Sequence, residues 1–153
     1  MVATDAEILR TIRELCDTTR PEHFANPNHC CECAEHDELL CSRDLDTLTV
    51  DDVGNPGWDP ICMVTAHAFF YYFPALARLA LEPPSSGHGW YFEQLLFHLT
   101  YEGSANRRRL AADLRHKQAV LMLLEYVRDT RASLVDEFSC QKDLESALSI
   151  WKK

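Results

Sequence analysis

The residues of this chain best equipped for chemistry crowd into one run, His29-Cys30-Cys31-Glu32-Cys33-Ala34-Glu35-His36-Asp37, which holds three of the seven cysteines and two of the seven histidines. Thiolate and imidazole are the donors a tetrahedral zinc ion prefers, and two cysteines separated by two residues let both sulfurs of one tight turn reach the same ion. Cys30 and Cys33 have that spacing. With a helix starting near Glu32, Cys33, His36 and Asp37 stand at i, i+3 and i+4 and share one face. The run therefore predicts Cys30, Cys33 and His36 as three ligands of one transition metal, zinc by donor type.

A fourth ligand must come from elsewhere, unless water holds the position as in catalytic zinc sites. His23 is favoured, because the six intervening residues include Pro27 and can fold back over the turn. Cys62 is nearly as good, and His29 and Cys31 are the other candidates. The plainer alternative is a set of reduced thiols on a polar turn with a surface histidine. One Cys-x2-Cys with one histidine is a less specific signal than two such pairs at finger spacing. A thioredoxin-like redox pair would follow a strand, and none is predicted upstream. A cysteine nucleophile with a histidine partner is the remaining possibility.

The elements that must position this run are helices. At 153 residues, 46% hydrophobic and 25% charged, the chain is long enough for one well-buried core and too short for two ordinary domains, so a single domain over 1–153 is expected, with the metal motif within 23–62. Thr4 with Glu7 forms a capping box ahead of Ile8, Leu9, Ile12, Leu15 and Cys16 at helical period. The motif helix is expected to run to about Arg43. Thr49 caps a short turn that Gly54 stops. Met63 to Leu81 is the most apolar stretch; His67, Pro74 and Arg78 argue against a membrane span, and the stretch predicts a buried central helix that Pro74 kinks or divides. Another helix is expected from Trp90 to about Tyr101, with His98 read as a hydrogen-bonded core histidine. A long one follows Arg107-Arg108-Arg109, interrupted near Asp113-Leu114, with the three arginines read as a solvated face. A last short helix carries Leu144, Ala147, Leu148 and Trp151 at i, i+3, i+4 and i+7. The expected fold class is all-α, about six helices.

The formal net charge of −9 is uneven: between Glu32 and Asp59 nine acids face Arg43 alone. Such a field favours a cation or a basic protein partner and argues against nucleic acid; a solvated, charge-rich loop is the common alternative. Asp44 and Asp46 start like a calcium loop, but Thr49 and Asn55 stand where its Gly and Glu belong. The N-terminus lacks the basic and apolar regions of a secretory signal, and the clustered, odd-numbered cysteines do not form a disulfide framework, so a reducing cytoplasm is expected.

The series His23-Phe24, His29-Cys30-x-Glu32-Cys33-Ala34-Glu35-His36-Asp37, Gly54-Asn55-Pro56-Gly57-Trp58-Asp59-Pro60 and Phe70-Tyr71-Tyr72-Phe73-Pro74-Ala75-Leu76 resembles a family of small bacterial proteins grouped as a domain of unknown function. The likeness covers most of residues 20 to 82. It implies a bacterial cytoplasmic protein in which Cys30, Cys33 and His36 belong to a shared site; Cys31 and Cys62 lie outside its pattern, and it implies no activity. Three functions fit the sequence. The leading one is a small helical binding or adaptor protein with a structural zinc. The second is a metal-dependent hydrolase with an open zinc position and Glu32 or Glu35 as base. The third is an acidic immunity or inhibitor protein without metal.

Overall fold

Among the described residues every regular element is helical. The computed structural model describes residues 2–153, and among them nine α-helices follow one another: α1 (Asp5–Leu15), α2 (Cys31–Cys41), α3 (Val50–Val53), α4 (Ala66–Leu81), α5 (Tyr91–Thr100), α6 (Arg107–Ala111), α7 (Leu114–Thr130), α8 (Ala132–Glu137) and α9 (Gln141–Lys152). Short 3-10 turns at Pro56–Trp58, Pro60–Met63 and Gly103–Ala105 join them. The expected six become nine because the predicted long helix breaks twice and the turn capped by Thr49 forms a short helix of its own. Asp113 caps α7 through His116 N, which separates it from α6, and the chain stops again at Arg131, so Leu134 belongs to α8. An N-cap side chain competes for the backbone donors that a continuous helix would use internally.

The core is built around α4. Its sequence is apolar on nearly every side, and Phe69, Phe70, Tyr72, Phe73, Leu76 and Leu79 are all buried. Pro74 lies inside α4, which continues through it undivided. Helices α1, α5, α6 and α7 pack on it, and α9 closes against α5 and α7. Burying each large apolar side chain contributes about 1.5–3 kcal/mol, which is why a helix of low polarity takes the central place. The two buried tryptophans place their indole N–H groups on backbone carbonyls, Trp90 on Ala80 O and Trp151 on Leu99 O, each at 2.9 Å. No helix is long and apolar enough to cross a membrane among the described residues.

The N-terminal third is tied on by polar contacts. The loop that follows α2 presents carbonyls with no helical partner, and cationic or hydroxyl groups reach them. Arg20 donates to Cys41 O and Arg43 O at 2.9 Å, Tyr72 to Arg43 O at 2.9 Å, and Arg78 to Leu45 O and Leu48 O at 3.0 and 2.8 Å. The capping box of α1 forms as expected, with Glu7 N on Thr4 Oγ1 and Thr4 N on Glu7 Oε2.

Candidate metal centre

Helix α2 begins at Cys31, and Cys30 is its N-cap. The Cys30 backbone is extended (φ −165°, ψ 173°), and its Sγ accepts from Cys33 N at 3.4 Å. A sulfur thus occupies the place that Ser, Thr, Asp or Asn usually fills. Upstream, Asn26-Pro27-Asn28 makes a turn closed by His29 N donating to Asn26 O at 3.2 Å. That turn brings His29 back over the helix start, where its Nδ1 lies 3.4 Å from Cys33 Sγ. The donor atoms of His29, Cys30 and Cys33 lie within 4.8 Å of one another, with Cys33 buried and the other two exposed.

The two thiols are unequal. The Cys33 amide, with the His29 side chain, holds the Cys30 thiol below the ordinary cysteine value. Cys33 is held above it, chiefly by the neighbouring Cys30 sulfur and by burial. Of the two, Cys30 is therefore the more readily ionised.

The structure groups the expected donors differently. Cys30 and Cys33 come together as predicted, but His36 and His23 do not join them; His29 does. His36 shares the helix face that spacing gave it, but that face is turned inward. Its side chain is 1% exposed, its ring centroid lies 4.8 Å from that of Trp58, its Nε2 lies 3.2 Å from Glu32 Oε1, and its Nδ1 is buried without a partner. His23 sits with Asp37 and Cys41 instead. Its Nδ1 is 2.7 Å from Asp37 Oδ2, while Asp37 Oδ1 accepts from Phe24 N and Ala25 N at 2.6 and 3.1 Å. Asp37 is the clasp of the 23–25 loop, and its oxygens are committed to that work. Burial pushes its carboxyl upward, but the bonds from His23 and the two amides outweigh burial and hold it below the usual range. Cys31 is exposed at the start of α2 and stays outside all three groupings.

Cys62 belongs to a third grouping, with Asp59 and His98. The sequence missed this one, because Asp59 and His98 are 39 residues apart and nothing local links them. His98 is the hydrogen-bonded core histidine expected, its Nε2 2.7 Å from Asp59 Oδ2. The reading of Arg107-Arg108-Arg109 as a solvated face is corrected: Arg107 is exposed, but Arg108 is buried and Arg109 donates to Ile150 O at 2.8 Å.

Of the nine acids in the 32–59 zone, Asp37 and Asp59 are buried, and Asp52 is paired with Arg43. The outward-facing field is weaker than the sequence count suggests. Comparison with protein families, with curated proteins and with solved structures finds no match to the chain.

Proposed function

We propose that the chain is a small helical metal-binding protein that carries one zinc-class ion at His29, Cys30 and Cys33, with the fourth position open to a donor from outside. What supports this is the convergence of two thiols and an imidazole at the start of α2, with His29 and Cys30 exposed. The donor set is soft and nitrogen-bearing, which suits zinc over calcium or magnesium.

The ion's role shifts from fastening to display. All three donors fall within five consecutive residues, so the ion closes a very short loop, and the attachment of the loop to the helical body is made by Asp37. A site with an exposed open position suits transfer of the ion or bridging to a second protein. The exposed carboxylates of Glu35 and Glu38 on α2 favour a basic partner as the source of that donor. Hydrolysis at a zinc-bound water is less well supported, since Glu32, the nearer candidate base, faces His36.

Cobalt substitution tests the reading. Co(II) bound to the wild-type chain is expected to show thiolate-to-metal charge transfer and a tetrahedral ligand-field band, and added imidazole is expected to shift that band. A band that ignores added imidazole means that four protein donors close the site, which contradicts the proposal.

A further inference from the structure

A cavity of about 420 Å³ opens beside α5 and α6, and a buried cation, Arg108, lines it. Arg108 is 7% exposed. Its Nη2 donates to Ile61 O at 2.6 Å and its guanidinium lies 4.7 Å from the centroid of Phe69, but its Nε is buried without a partner. Arg43 and Arg131 have Asp52 and Asp5 as partners, whereas Arg108 has no carboxylate partner among the described residues. Burial and the neighbouring Arg107 push it down to about 10, so it remains charged at neutral pH. Asp59 and Cys62 act on Arg108 without a direct bond to it, and a buried charge that lacks a bonded counter-ion is costly, so an oxyanion in the cavity would complete it.

The surroundings decide between a cation and an anion here. Both oxygens of Asp59 are already engaged: Oδ1 accepts from Ile61 N at 2.9 Å, and Oδ2 lies 2.7 Å from both Gln94 Nε2 and His98 Nε2. A metal at Asp59, Cys62 and His98 would displace those bonds and would sit in the field of Arg108, one of the charges that acts on Cys62. Arg107 and His98 also line the cavity, and Glu102 is its one carboxylate. Its outer wall is apolar: Phe97 and Tyr101 are 52% and 56% exposed, with ring centroids 5.4 Å apart.

We propose that this cavity binds a small organic anion, its oxyanion head on Arg108 and its flat apolar body against Phe97 and Tyr101. Charge-assisted bonds to a guanidinium fix the head, and the exposed rings shed water when the body covers them. The head is a carboxylate or a phosphate monoester. Cys62, exposed on the cavity wall, reports occupancy without taking part.

Iodoacetamide labelling of Cys62, read by peptide mass mapping at constant ionic strength, tests the proposal with benzoate and phenyl phosphate as probes. A probe present at about ten times its dissociation constant is expected to slow the labelling about elevenfold, and whichever probe protects identifies the head group. Arg108→Gln is expected to abolish protection, and the surface pair Phe97→Ala with Tyr101→Ala to weaken it severalfold in a chain that folds normally. If neither probe slows labelling beyond a chloride control, the proposal fails. It also fails if Arg108→Gln is protected like the wild type, or if inorganic phosphate protects as well as phenyl phosphate.

Discussion

Asp37 is the residue on which the N-terminal loop depends. It is buried, and it alone satisfies Phe24 N and Ala25 N while holding His23. Replacing it with alanine leaves two buried amides without acceptors, and Asp37→Ala is expected to lower stability by about 3 kcal/mol in urea unfolding. The His23 pair adds a pH dependence whose sign is fixed. Its hydrogen bond to Asp37 raises His23 above its ordinary 6.5, so its contribution is complete below 6.5 and disappears as pH rises through the folded-state value. Asp37 is lowered from 3.8, so its contribution is present above 3.8 and disappears as pH falls through its folded-state value. The stability difference between wild type and His23→Gln is therefore expected to be larger near about pH 5 than near about pH 9, and a difference that grows with pH contradicts the pairing.

At the scale of elements, α2 carries two jobs on one residue. Cys30 caps the helix and, in the proposed centre, would supply a metal donor, and the two are separable by substitution. Serine caps at least as well as cysteine, so Cys30→Ser is expected to melt no lower than wild type while losing the ion, whereas Cys30→Ala loses about 1 kcal/mol as well. Gly54, which ends α3, gives a second test. A Cβ there would meet Val50 O at 2.5 Å and Val50 Cγ2 at 2.7 Å, so Gly54→Ala is expected to cost about 1–3 kcal/mol by thermal melting. The elements themselves were largely legible: the Thr4 box, the helix start beside Glu32, the Thr49 turn and the break at Asp113 are local signals that the fold respects. The site was legible only in part. Spacing correctly put Cys33 and His36 on one face, but which way that face turns depends on Trp58, which arrives from a later turn to cover His36. His29 precedes the helix, and no periodicity governs it; its place follows from the Asn26-Pro27-Asn28 turn. The burial of Arg108 depends on Ile61 and Phe69, both far away in sequence, so a basic run looked like surface.

For the molecule as a whole, stability resides in the contact of α4 with its neighbours and in the closure by α9. Trp151, almost completely buried, packs beside Phe70 and bonds to Leu99 O; its replacement by alanine is expected to cost about 3–5 kcal/mol. The metal is expected to matter much less to folding. Donors within five residues can bind an ion in the unfolded chain nearly as well as in the folded one, so the two affinities nearly cancel, and chelation is expected to move the melting midpoint by less than about 3 °C. Native mass spectrometry of chain reconstituted with zinc under reducing conditions tests the centre most directly. One ion per wild-type chain is expected, none in the Cys30→Ser, Cys33→Ser double variant, weakened loading in His29→Gln and full loading in His23→Gln. Zinc that persists after both sulfurs are gone, or that ignores His29 and departs with His23, would contradict a centre at His29, Cys30 and Cys33.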